Sequence, residues 1–202
     1  MKEKYYDKLL NINTIGNQNF KYTSIHNHHY EPTLYIALEE LFENYNLNKN
    51  DHIVDFGCGM GRMIFYINYR FGSYVTGVEI NLRNYEQALI NKINYIRKNK
   101  KSEDKINFEY NLAQKYEISI LDNKFYFFNP FSIQIFSKVI DNILESYEKN
   151  MREIDIIMYY PTVEYLNFLE YKTPFILNQE IYLKDLYKKD CREKFVIYSL
   201  NC

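Results

Sequence analysis

Residues 54–62 read "VDFGCGMGR", and the reading of this stretch decides how the rest of the chain is understood. Three of the six glycines in the 202-residue sequence, Gly57, Gly59 and Gly61, fall there within five positions. Glycine costs conformational entropy in ordered backbone. It is kept where φ must be positive or where another group lies against the bare main chain. A β-rich run, "HIVDF", leads into the glycines, and a helical stretch from about Arg62 to Tyr69 leaves them. A glycine-rich handover from strand to helix, at the carboxyl edge of a sheet, is where open α/β folds bind ligands. The alternative use of the same residues is a tight turn with close helix packing.

Outward from this turn, short β-rich runs alternate with helical stretches. Before it, "EPTLYIALEELFENY" sets Leu34, Ala37, Leu38, Leu41, Phe42 and Tyr45 at the 3, 4 spacing of an amphipathic helix, with Pro32 suited to its first turn. After it come "YVTGVEI", a helix from about Asn84 to Lys98, and "INFEYNL". "KFYFFN", a helix from about Ser132 to Lys149, "DIIMYY" and a short helix from about Val163 to Phe168 continue the series. Strand alternating with helix predicts an α/β fold: a doubly wound, mostly parallel seven-stranded sheet with helices on both faces. The end of the chain departs from this pattern. "PFILNQEIYL" and "REKFVIYSL" are separated by "KDLYKKDC", with no room for a helix, so they are expected to form a C-terminal antiparallel pair.

The length suits one domain over 1–202. Within it, 51–202 reads as the core and 32–50 as a lead-in helix. Residues 1–31 are polar and aperiodic yet carry Phe20, Tyr22, His26, His28, His29 and Tyr30, and read as a lid-like segment. A net charge of −1 gives no overall attraction to nucleic acid or to an anionic membrane. No run of about 18 apolar residues and no apolar leader occurs, so neither export nor a membrane span is expected. Cys58, Cys191 and Cys202 are odd in number and widely spaced, which predicts a reducing, cytoplasmic location with neither a zinc site nor a disulfide framework. "HNHHY" at 26–30 lacks a carboxylate at helical ligand spacing and reads as a loop, so no metal is expected.

Two familiar glycine patterns fail. A dinucleotide fingerprint would need a third glycine where Arg62 stands, and a phosphate loop would need Lys-Ser or Lys-Thr downstream. What the residues match is D-x-G-x-G-x-G, through Asp55, Gly57, Gly59 and Gly61. In this the sequence resembles the class I, seven-strand S-adenosyl-L-methionine-dependent methyltransferases over about residues 50–200. The cofactor carries no phosphate, and Asp55 is compatible with its ammonium and sulfonium. The resemblance implies that Asp55 and Gly57, with Cys58, Gly59 and Gly61, hold the methionine end. It implies too that Glu79, which ends "VTGVE", takes the ribose hydroxyls beside Ile80; a solvated strand end is the alternative reading of Glu79. It places the adenine-contacting segment at Asn111, Leu112 and Ala113.

"FYFFNPFS" resembles the family's fourth motif, with Asn129 and Pro130 in place and Phe131 where a second proline is common. The resemblance implies that Asn129 meets both the cofactor and the transferred methyl; capping the following helix is the alternative. Tyr30, Pro130, Phe131 and Tyr160 are the expected acceptor contacts. Pro32 and Thr33 match a Pro-Thr or Pro-Ser carried there by several methyltransferase families. Cys58 reads as a small spacer, since a nucleophile there would lack a base. The core is minimal, which favours methyl transfer to a small-molecule or protein acceptor. Nucleic-acid amine methylation through Asn129-Pro130-Phe131 and a non-catalytic cofactor-binding subunit are the competing readings.

Overall fold

A computed structural model describes residues 2–15, 31–100 and 103–201. The amino-terminal stretch folds first as helix α1 (Lys2–Leu10), and α2 (Tyr35–Asn44) leads into the sheet. The alternating part runs β1 (His52–Phe56), α3 (Arg62–Phe71), β2 (Tyr74–Glu79), α4 (Leu82–Asn99), β3 (Ile106–Tyr110), β4 (Lys124–Phe128), α5 (Ile133–Lys149), β5 (Ile154–Tyr159) and α6 (Val163–Lys172). The chain closes with β6 (Ile176–Tyr182), α7 (Lys184–Tyr187) and β7 (Lys194–Leu200). The seven strands lie in the order β3-β2-β1-β4-β5-β7-β6. β7 pairs antiparallel with both β5 and β6, and the other pairings are parallel.

The period-2 alternation of the strands decides which core each side chain enters. Along β4, Phe125 and Phe127 face one side with Phe136, Ile140 and Tyr165 of α5 and α6. Tyr126 faces the other, with Tyr35, Phe65 and Tyr95 of α2, α3 and α4. Phe136 stacks on Tyr165 with centroids 3.8 Å apart, joining the two helices of its layer. α3 is bounded at both ends by left-handed glycines, Gly61 and Gly72, as its sharp entry and exit require.

Three expectations are corrected here. Pro32 does not open α2: the helix starts at Tyr35 after an extended Leu34, and Pro32 stands outside it. The stretch between the last two strands does hold a helix, the single turn α7, although it makes no crossover. Residues 2–15 are not separate from the core. Leu10 is fully buried and Ile12 nearly so. Tyr6 stacks on Tyr35, and Lys2 and Tyr6 both bond Glu39 of α2. Asp7 is buried as well, because its carboxylate accepts from the Thr14 backbone N–H, the Thr14 hydroxyl and the Tyr35 hydroxyl. The rest of the segment expected to be lid-like, residues 16–30 with Tyr30 and the three histidines, lies outside the described residues.

Candidate active site

The parallel strands β1, β2, β3 and β4 all end at one edge of the sheet, and the residues singled out by sequence sit along it. Gly57 and Cys58 donate their backbone N–H groups to Val78 O, at 2.8 and 3.2 Å, which turns the chain sharply off β1. Gly57 and Gly61 have φ of 80° and 86°. Neither has room for a Cβ, although Gly57 is itself exposed while Gly61 is buried. A Cβ on Gly57 would lie 2.8 Å from Pro130 Cβ, and one on Gly61 would lie 2.7 Å from the Phe108 ring and 2.8 Å from Phe65. The bare backbone at these two positions admits Pro130 and two phenylalanines, so close packing accounts for them as well as a ligand would. Cys58 fills the space over Gly77, where a Cβ would meet its sulfur at 2.6 Å. Burial, with Asp55 and Glu79 nearby, pushes its thiol well up, which fits a spacer and not a nucleophile.

Glu79 is buried at the end of β2 and is tied at both oxygens. Gly59 N–H donates to Oε2 at 2.8 Å and Asn81 N–H to Oε1 at 2.7 Å. It is therefore not a solvated strand end. Burial raises its pKa, and those backbone donors pull against the rise. The end of β3 follows closely, since Asn111 N–H donates to Glu79 O at 3.1 Å. Asn111 Oδ1 then accepts from Leu112 N–H at 2.9 Å, and a short 3-10 turn takes Ala113–Lys115 under α5. Ile80 is part exposed at 38% beside this edge.

Asp55 is 4% exposed, and no described residue donates a hydrogen bond to its side chain. Burial, and secondarily the Glu79 charge, push its pKa up to about 8. It borders a small cavity of about 30 Å³ whose other walls include Glu31, Pro32, Thr33, Arg62 and Phe128. The Thr33 hydroxyl lies 2.7 Å from the Tyr126 hydroxyl. Arg62 is also 4% exposed. Its Nε donates to Thr14 Oγ1 at 2.8 Å, its Nη1 donates to Glu3 and, at 3.2 Å, to Thr33 O, and its guanidinium lies 4.7 Å from the Tyr35 ring centre.

At the end of β4, Asn129 takes a left-handed φ of 39°. Pro130 packs on Gly57. Phe131 is 5% exposed; its ring lies against Phe127 and its carbonyl accepts the Tyr165 hydroxyl. The expectation that Phe131 contacts an acceptor is corrected: its ring belongs to the core under α5. Tyr160, after β5, has φ 53°, and its hydroxyl donates to Asp190 while Arg192 lies 4.4 Å from its ring centre. Tyr159 donates to Glu193 and packs on Phe128 at 4.6 Å.

No family model and no curated protein matches the sequence. Solved structures do match. The chain superposes on an RNA methyltransferase from Salinibacter ruber, crystallised with S-adenosyl-L-homocysteine, at TM-score 0.57 and 15% identity over 84% of this chain and 92% of that one. It superposes on a SAM-dependent methyltransferase from Methanosarcina mazei at TM-score 0.58 and 16% identity, covering 80% and 97%. For the geranyl diphosphate C-methyltransferase of Streptomyces coelicolor the values are 0.56 and 12%, covering 82% and 77%. The fold is the class I methyltransferase fold.

Within that methyltransferase fold, three residues and one segment bordering the site escaped the sequence reading. Arg62 left a signal, as a lone cation opening a helix whose next six residues are buried. Tyr126 and Phe128 follow from strand alternation on β4. The Asp190–Glu193 segment left none, because nothing local says that its acids reach back to Tyr160 and Tyr159. Among the described residues no group of three His, Cys, Asp or Glu side chains could hold a metal ion, and no helix is long and apolar enough to cross a membrane.

Proposed function

We propose that the chain transfers a methyl group from S-adenosyl-L-methionine to a small-molecule or protein amine or hydroxyl. The observation that carries this reading is Asp55: a buried carboxyl group with no hydrogen-bond donor among the described residues, beside a cavity at the glycine turn of a methyltransferase fold. A buried acid in that state costs folding free energy unless it meets a cation, and a ligand with an ammonium and a sulfonium supplies one.

When bound, the cofactor supplies a methyl already labile on a sulfonium, so positioning dominates and no acid-base pair is required. Asp55 and the turn at 57–61 orient the methionine end. Glu79 holds that turn against the start of α4, and its remaining acceptor capacity is directed at the ribose. Ile80, Asn111, Leu112 and Ala113 border the adenine. Asn129 and Tyr160, which follow the neighbouring strands β4 and β5 in left-handed backbone, would meet the acceptor. Cys58 and Cys191 are free thiols, which fits a reducing cytoplasm.

The RNA-methylating neighbour keeps a nucleic-acid acceptor in view, but Phe131 takes the motif's proline position with its ring buried, and Ser132 stands where the aromatic that would stack on a flipped base belongs. The test is calorimetry with S-adenosyl-L-homocysteine, followed by transfer of labelled methyl into a cell extract sorted by product size. Binding with label in small molecules or protein supports the reading. Label in nucleic acid moves it to the RNA alternative, binding without transfer to the non-catalytic subunit, and absence of binding overturns it.

A further inference from the structure

Asn91 lies in the middle of α4 and is 1% exposed, and every hydrogen-bonding position of its side-chain amide is filled. Its Oδ1 accepts the Asn13 N–H at 2.9 Å and Gln87 Nε2 at 3.1 Å. Its Nδ2 donates to Asn13 O and to Met60 O, both at 3.0 Å. Met60 stands between Gly59 and Gly61, inside the glycine turn. The main chain of Asn13, with one donor and one acceptor, decides which way round the amide sits. In that orientation an Nδ2 hydrogen meets Met60 O; turned over, the amide would set oxygen against oxygen there.

A second tie runs from the same segment to the other side of Gly61. Thr14 Oγ1 accepts Arg62 Nε at 2.8 Å and is itself fixed by Asp7. The turn is thus held twice over. Glu79 takes the Gly59 N–H from β2, while residues 13 and 14 reach Met60, through Asn91, and Arg62 directly.

We propose that Asn91 is a positioning residue for the cofactor: it carries the docking of residues 2–15 to the Met60 peptide and so sets the main chain on which the methionine end lies. The proposal rests on the methyltransferase reading and deepens it, by giving the amino-terminal segment a part in cofactor affinity. Docking and binding are then coupled in both directions, because a segment that tightens a ligand is itself tightened by that ligand.

Hydrogen exchange on the full-length wild type, with and without saturating S-adenosyl-L-homocysteine, reads this coupling. The Asn13 and Thr14 amides should exchange about tenfold or more slowly with the ligand bound. The Asn150 amide, bonded to Ser146 O at the far end of α5, reports any general stabilisation and should slow by a smaller factor. Equal slowing at all three amides, or none, overturns the proposal. Calorimetry adds a variant: Asn91→Ala removes the tie to Met60 and should weaken S-adenosyl-L-homocysteine about tenfold or more. Ile140→Ala, a large-to-small change in the opposite core layer, lowers stability too but should leave the affinity where it was. If both variants weaken the ligand alike, Asn91 acts through stability alone and the proposal fails. The exchange experiment decides the matter by itself if Asn91→Ala does not fold. If the wild type does not bind S-adenosyl-L-homocysteine, the methyltransferase reading fails and the proposal falls with it.

Discussion

Glu79 Oε2 accepts the backbone N–H of Gly59 at 2.8 Å, across twenty residues of chain. Its other oxygen accepts from Asn81. One side chain at the end of β2 therefore closes the glycine turn after β1 and also starts α4, before any ligand arrives. Glu79→Ala leaves the buried Gly59 donor and the part-buried Asn81 donor without their acceptor, and should lower unfolding free energy by about 1–3 kcal/mol in urea titration. Glu79→Gln keeps one acceptor and should fall between the two. A variant as stable as the wild type would return Glu79 to a purely ligand-binding role.

Asp55 makes stability depend on pH in a direction opposite to that of an ordinary salt-bridged acid. Its pKa is raised to about 8 in the folded chain, against about 3.9 when unfolded. Between those values the native state holds the extra proton, so stability is full below the unfolded pKa and is lost as pH rises through the folded one. Glu79, also raised, adds in the same sense. The slope approaches about 1.4 kcal/mol per pH unit near neutrality for one proton. Denaturant melts from pH 5 to 9 should show this decline, and Asp55→Asn should flatten it.

Gly57 and Pro130 test whether packing or ligand contact sets the glycine. Gly57→Ala places a Cβ 2.8 Å from Pro130 Cβ at a φ of 80°, and should cost about 1–3 kcal/mol. Adding Pro130→Gly removes the clash and leaves the strain, so the double variant should recover part of the loss. Thermal melts of the single and double variants decide it. No recovery would mean that φ alone demands the glycine.

Leu10 probes the standing of α1. It is fully buried against the helices of the first core layer. Leu10→Ala should cost about 2–5 kcal/mol, as for other large-to-small changes at such sites. A loosely attached lid would show almost none of this, and chemical denaturation distinguishes the outcomes.

The sheet was readable because buried strands announce themselves in short runs such as "HIVDF" and "DIIMYY", and because helices between them impose parallel pairing. The antiparallel last strand followed from the short spacer before "REKFVIYSL". α1 was not readable: its burial rests on Asp7, Tyr6 and Lys2, polar groups whose partners Thr14, Tyr35 and Glu39 are chosen by the fold. A period search sees only apolar faces. Asp55 and Glu79 stood out in the sequence as acids at strand ends, and both are buried there, at the edge where the parallel strands finish. Phe131 misled because an aromatic in a known motif looks the same whether its ring turns to the ligand or to Phe127. Pro32 misled in the same way, since proline suits both a first helical turn and the extended chain that precedes one.

The reversed direction of β7 carries a consequence for how such a fold can vary. Because β7 enters the sheet opposite Tyr159, the connection from Leu183 to Glu193 is delivered to the rim that holds Asn129 and Tyr160. It touches that rim through Asp190 and Glu193 alone among its acids, while the ladders of β5, β6 and β7 are complete without it. Past Leu183 and Leu186, which pack on the core, residues 187–192 can change in length or sequence without disturbing any strand pairing. The antiparallel strand thus gives this small protein a replaceable part beside Tyr159 and Tyr160, one that can vary while the sheet stays as it is.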